Sequence, residues 1–308
     1  MPAWTIAALP NLTGRIAVVT GATSGLGFWC ARGFAARGAE VILAVRNPEK
    51  AEQTVHTIRA EFPAAKLGIM PLDLTSLASV RAFAARATEE LPRIDLLLNN
   101  AGLGLQPQRI LTADGFEQQW GVNYLGHFAL TARLIPALLR APQPRVVTVA
   151  SMAHRRGKIL WDDPNQASNY NGRTAYNQSK LACLMFALEL AARANEQGSR
   201  LASLAAHPGL ALTGFIGASN LPGIMQTVGL LASRILGQSA QAGAAPLMYA
   251  GAMPDAANGD YWGPDGFKEI RGNPARATVW PHARPRADWQ RLWAIAETST
   301  GEVFPPLA

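Results

Sequence analysis

Cysteine is almost missing from this 308-residue chain. It has two, Cys30 and Cys183. That excludes a disulfide scaffold and any four-cysteine zinc site. Both read as small core residues in a reducing compartment. Charge is also scarce: 16% of residues are charged and 49% are hydrophobic, the opposite of a disordered chain. No uncharged apolar run reaches the roughly 20 residues of a spanning helix. Residues 1–11 lack the charged-then-apolar pattern of an export signal. These absences point to a cytoplasmic protein without an integral membrane segment. The net charge of +7 comes without a dense basic run, the nearest being His154-Arg155-Arg156-Gly157-Lys158. Nucleic-acid binding needs a clustered stripe and is not expected. The five histidines show no metal-ligand spacing, so no metal is expected either.

What is present is alternation. Apolar runs at 16–20, 41–45, 67–72, 94–98, 146–150 and 201–206 read as strands. Helical patterns fill 26–37, 48–62, 77–90, 116–140 and 174–195. Nearly all-apolar strands separated by helices imply a parallel sheet buried on both faces. Right-handed crossovers make it a doubly wound α/β (Rossmann) fold. The expected organisation is a single domain over 1–308. Within it, a cofactor-binding and catalytic core spans 12–208, a substrate-binding lid 209–238 and an irregular tail 258–308. The apolar, glycine-rich 210–237 stretch reads equally as a mobile lid or as ordinary core helices. Residues 239–250 read as one more helix, with Ser239 as a candidate N-cap and Pro246 against it.

The first strand runs into Thr20-Gly21-Ala22-Thr23-Ser24-Gly25-Leu26-Gly27 and then a helix. Glycines let the chain bend tightly and let a phosphate approach the backbone. The helix start offers free N–H groups and the positive end of its dipole. Further along stand Asp73-Leu74, Asn99-Asn100-Ala101-Gly102, Asn123, Ser151, Tyr176-x-x-x-Lys180, and His207-Pro208-Gly209 with Thr213. Their order and spacing resemble the short-chain dehydrogenase/reductase family over about residues 12–213. Val45-Arg46-Asn47, Gly126-His127-Phe128, Ala153-His154, Ser179-Lys180-Leu181-Ala182 and His207-Pro208-Gly209 resemble its retinol-dehydrogenase-like branch, in a bacterial type without a membrane anchor.

The second strand ends on Arg46 and Asn47 without an acid. A carboxylate there would bind a ribose 2′-hydroxyl, whereas an arginine accommodates a 2′-phosphate. NADP is therefore favoured, and NAD remains an alternative. The resemblance implies that Asp73 meets the adenine and that Asn100 and Gly102 border the adenine-side ribose. It also implies that Lys180 holds the nicotinamide ribose, and that Pro208-Gly209 with Thr213 turns around the carboxamide.

Tyr176 and Lys180, four apart, share one helix face. A free tyrosine titrates near 10, and an ammonium about 4 Å away could lower that by up to about three units. Tyr176 would then exchange a proton with a carbinol oxygen while hydride moves to or from the nicotinamide. Ser151 follows a strand at the sheet's carboxyl edge and can donate to a carbonyl oxygen. Asn123 is a poor residue inside a helix, which suggests a role. The resemblance gives it a water that relays protons to Lys180. A triad of Ser151 with His207 is rejected.

Substrate residues are expected at 152–171, with Trp161, and 210–236. They suit an apolar alcohol or carbonyl compound. Arg155, Arg156 and Lys158 read as a solvated loop. Residues 259–266 resemble a C-terminal strand and turn, with Trp262 a candidate for the pocket border. A catalytically silent nucleotide-sensing protein on the same fold is the rival reading. Residues 221–236 could also touch a membrane surface, and the helices at 116–140 and 174–195 could form a homo-oligomer face.

Overall fold

The computed structural model describes residues 4–212 and 238–308. Thr213 and nearly all of the 209–238 lid, with its 221–236 segment, lie outside the described residues. Among the described residues, ten short strands are β1 (Ile16–Thr20), β2 (Glu40–Val45), β3 (Leu67–Pro71), β4 (Leu96–Asn99), β5 (Arg145–Val149), β6 (Ala202–Ala206), β7 (Ala211–Leu212), β8 (Gln238–Ser239), β9 (Tyr261–Pro264) and β10 (Pro274–Arg276). Eight of them form one sheet in the order β10-β9-β6-β5-β4-β1-β2-β3. Neighbours are parallel except β9 and β10. The order reverses at β1 and β4, where a doubly wound sheet opens a ligand crevice at its carboxyl edge.

Successive side chains in a strand point to opposite faces. Ile16, Val18, Leu97 and Val146 enter the core on one face; Ala17, Val19, Leu98 and Val147 enter the core on the other. This is why the strand sequences carry almost no polar residue. Helices α1 (Gly25–Ala36), α2 (Pro48–Glu61), α3 (Leu77–Glu90), α4 (Gln118–Trp120), α5 (Gly126–Leu139), α6 (Gly172–Glu196) and α7 (Ala240–Ala252) cover the sheet. Ser239 caps α7 as expected, accepting from the Ala242 amide, and Pro246 stays inside the helix. The 116–140 helix is divided: between α4 and α5 lies a π-helical turn, Gly121–Leu125.

The tail departs from its expected irregularity. Residues Arg286–Thr300 form an eighth helix, α8, that ends on Gly301 in the left-handed region (φ 67°). Leu292, Trp293, Ala296 and Thr300 are buried, at a spacing that puts them on one face. Trp293 stacks against Phe304 (4.4 Å between ring centroids), Phe128 (5.0 Å) and Phe186 (5.8 Å). Glu302 ties the end of the chain to Arg81 (2.8 Å) and Arg133 (2.7 Å). Phe186 belongs to α6, so α8 occupies part of the helix surface expected as an oligomer face. Truncating a buried aromatic costs about 3–5 kcal/mol. The Trp293→Ala variant is expected to melt roughly 10 °C lower, read by thermal denaturation.

Candidate active site

The carboxyl ends of β1, β4, β5 and β6 converge on one crevice. The turn after β1 contains Gly21 (φ 66°) and Gly25 (φ 55°), both left-handed. A Cβ on Gly21 would lie 2.9 Å from Ala101 Cα. One on Gly27 would lie 2.3 Å from Gly21 O and 2.5 Å from Asn100 Nδ2. The turn thus has no room for side chains on its inner side. Ser24, at the N-cap of α1, makes no side-chain cap bond, which leaves the first helical amides open to a ligand. Thr23 is half-buried and Ser24 exposed in the same turn; Leu26 packs against the core. These residues fit a dinucleotide pyrophosphate.

Asn100, expected beside a ribose, is used by the protein itself. Its Nδ2 donates to Thr20 O (2.8 Å) and its backbone amide to Thr20 Oγ1 (2.9 Å). The Ala101 amide also donates to Thr20 Oγ1 (2.9 Å). Thr20 therefore locks the β4 turn to the glycine turn. On its other side it meets His127 Nε2 at 3.0 Å. The His127 Nδ1–H donates to Asn123 O (3.0 Å), so Nε2 is the bare nitrogen. Burial pulls the His127 pKa down to about 4, which keeps the ring neutral. The sequence placed His127 in a signature without a role; its helical i, i+4 spacing from Asn123 was the available signal.

Asn123 sits in the π-helical turn, a distortion that often marks functional sites. Its Oδ1 accepts from the Leu103 amide (2.7 Å), and its Nδ2 donates to Leu103 O (3.1 Å) and Ser179 Oγ (2.9 Å). Its carbonyl accepts from His127 and from Cys183 Sγ (3.1 Å). A Cβ on Gly102 would lie 3.1 Å from Asn123 Oδ1 and 3.6 Å from Lys180 Nζ, which places the three side by side.

Ser151 follows β5 after Ala150, and its Oγ accepts from the Ala153 amide (3.1 Å). The Tyr176 hydroxyl shares a hydrogen bond with the Ser151 side chain. Lys180, one turn along α6, is buried and donates to Val149 O (2.9 Å). One expectation, a lowered Tyr176 pKa, changes in the cofactor-free site. Burial pushes the Tyr176 hydroxyl up to about 12, against the lowering pull of the Ser151 hydrogen bond. Burial also lowers the Lys180 pKa.

The remaining expected residues lie around the same edge. Arg46 is exposed immediately after β2, and Asn47 caps α2 by accepting from the Lys50 amide (3.0 Å). Asp73 Oδ1 accepts from the Thr75 amide (2.9 Å) and hydroxyl (2.8 Å), and Leu74 is buried in the core. Pro208 and Gly209 follow β6. Trp262, a candidate for the pocket border, is buried and packs on Tyr249 at 4.3 Å between ring centroids. Arg155 is only partly exposed, its Nη2 pairing with Glu269 at 2.5 Å, while Arg156 and Lys158 are exposed as a solvated loop would have them. His207 meets Glu269 rather than Ser151, at 3.0 Å.

The pattern of the short chain dehydrogenase family matches residues 15–221. The chain belongs to that family. Human retinol dehydrogenase 13 is 44% identical over 204 residues, 66% of this chain and 61% of that protein. The chain thus matches about three fifths of that relative's length. Mouse polyprenol dehydrogenase is 37% identical over 299 residues, 95% of this chain and 86% of that one. This is the retinol-dehydrogenase-like branch. A crystal structure of an uncharacterized protein from Mycobacterium paratuberculosis superimposes with a TM-score of 0.81 at 39% identity, covering 99% of this chain and 100% of the other. A short chain dehydrogenase from Shigella flexneri, complexed with NADP, gives 0.64 at 26% identity, covering 82% and 98%. Among the described residues no helix is long and apolar enough to cross a membrane.

Proposed function

We propose that this short-chain dehydrogenase is an NADP-preferring oxidoreductase that interconverts an apolar alcohol and its carbonyl compound. The observation that carries the reading is the Tyr176–Ser151 hydrogen bond with Lys180 one helical turn away, all at the sheet's carboxyl edge. The nicotinamide, when bound, supplies or takes the hydride. Tyr176 holds the proton for the substrate oxygen. Ser151 donates to that oxygen as charge develops on it, in a site where donors are already oriented. Lys180 would hold the nicotinamide ribose, and Asn123 fixes Leu103 and Ser179 beside it. Gly21, Thr23, Ser24, Gly25, Leu26 and Gly27 cradle the pyrophosphate; Asp73, Asn100 and Gly102 flank the adenosine half. The apolar substrate class is supported by the names of the retinol and polyprenol dehydrogenases the chain resembles.

Arg46 supports the NADP preference, because an exposed guanidinium after β2 can pair with a 2′-phosphate. The NADP held by the Shigella relative supports it further. The test is NADPH oxidation at 340 nm against a panel of apolar ketones and aldehydes, with NADH in parallel. The Arg46→Glu variant is expected to lose at least about tenfold in kcat/KM for NADPH, or about 1.4 kcal/mol, while NADH turnover holds or rises. An unchanged cofactor ratio would remove Arg46 from the selection.

A further inference from the structure

The turn after β6 and the turn after β5 are held together by a side chain from the far end of the sheet. Glu269 lies between β9 and β10. Its Oε2 meets both His207 Nε2 (3.0 Å) and Arg155 Nη2 (2.5 Å), while its Oε1 accepts from the Thr278 amide (3.0 Å). Arg155 belongs to the 3-10 turn Met152–Arg156 that Ser151 caps, and its Nη1 donates to Lys268 O (3.0 Å). His207 begins the Pro208-Gly209 turn. The Gly209 amide donates to His207 Nδ1 (3.1 Å), which leaves the ring's proton on Nε2, aimed at the carboxylate. The Leu210 amide donates to Ile270 O (2.8 Å), and a Cβ on Gly209 would lie 2.3 Å from that same oxygen.

The segment that delivers Glu269 is strained. Lys268 (φ 51°) and Glu269 (φ 60°) both sit in the left-handed region without being glycine. Such positions persist where the surroundings over-determine them, and they cluster at functional sites. Here the surroundings are the Arg155 and His207 bonds themselves.

We propose that Glu269 is a positioning residue: with Arg155 and His207 it sets the separation between the Ser151 turn and the Pro208-Gly209 turn, and so the seat of the nicotinamide end of the cofactor. This rests on the cofactor-binding reading given above. The carboxylate touches neither substrate nor cofactor in this role. It bridges two turns that leave the neighbouring strands β5 and β6 just beyond their last backbone bond, the Ala150 amide on Ala206 O (2.8 Å).

Glu269→Gly removes the carboxylate yet suits the left-handed backbone, so strain and bonding are separated. Glu269→Gln keeps an acceptor for His207 but loses the charge facing Arg155. Two readouts are needed. NADPH affinity by fluorescence titration is expected to weaken about tenfold in E269G and less in E269Q, with cofactor KM rising and carbonyl-substrate KM unchanged. Hydrogen exchange in the cofactor-free protein is expected to accelerate at the Gly209 and Leu210 amides in E269G, while amides of β1 and β4 stay protected. Wild-type Kd and wild-type exchange in E269G would overturn the proposal. If E269G does not fold, unchanged Kd and exchange in E269Q overturn it. A wild-type protein that binds NADPH but reduces no carbonyl would remove the enzyme reading and leave both readouts of Glu269 intact.

Discussion

Tyr176→Phe is expected to lower kcat by about 10²–10⁴-fold, the usual worth of a positioned acid or base, with NADPH affinity left near wild type. The ring keeps its packing, and only the hydroxyl that bonds Ser151 is lost. Loss of kcat without loss of binding identifies a group that acts in the transition state. A nucleotide sensor on the same fold would keep its function in this variant, so the one substitution separates the two readings. The reaction's direction adds a sign. Burial raises the free-site hydroxyl to about 12, so at neutral pH it carries its proton. Carbonyl reduction starts with that proton in place and is expected to be nearly flat from pH 6 to 8. Alcohol oxidation needs the ionised form and is expected to climb with pH over the same window. Stopped assays in both directions measure this, and an oxidation rate independent of pH would contradict Tyr176 as the base.

The core of the fold was legible because doubly buried strands leave a strong mark. The runs at 16–20, 41–45 and 201–206 are apolar for the same reason that Val18, Leu43 and Leu204 are fully buried. In the candidate site the glycine turn and Ser151 were legible because they follow strands, and Tyr176 and Lys180 because residues four apart share a helix face. Less was legible where a residue's partner lies far along the chain. The bond by which Asn100 anchors its turn had no mark in the sequence, because its partner Thr20 stands eighty positions earlier. Glu269 carries no local mark at all; only the folded chain brings it to His207 and Arg155. Helix α8 was missed because the tail is rich in glycine, proline, tryptophan and arginine, which reads as irregular. The spacing of Leu292, Trp293, Ala296 and Thr300 and the stop at Gly301 were the signals for it. The raised Tyr176 hydroxyl of the cofactor-free site was not legible either, because burial depends on the whole fold and the spacing of two residues on a helix does not report it.

Gly27→Ala is expected to weaken NADPH binding by about ten- to a hundredfold and to destabilise the protein as well. The added methyl has nowhere to go. Its nearest atoms are Gly21 O at 2.3 Å and Asn100 Nδ2 at 2.5 Å, and the first is backbone. Moving Gly21 disturbs a residue at φ 66° that already lies against Ala101. Moving Asn100 breaks its bond to Thr20 O, and with it the lock between the β1 and β4 turns. Overpacking of this kind costs about 1–3 kcal/mol, and 1.4 kcal/mol is tenfold in affinity. The two effects have one cause, so they should move together. Isothermal titration with NADPH and a melting curve on the same sample test that. A variant that melts at the wild-type temperature yet binds no cofactor would mean the methyl meets the ligand instead of the turn. Wild-type affinity would mean the pyrophosphate is not seated there.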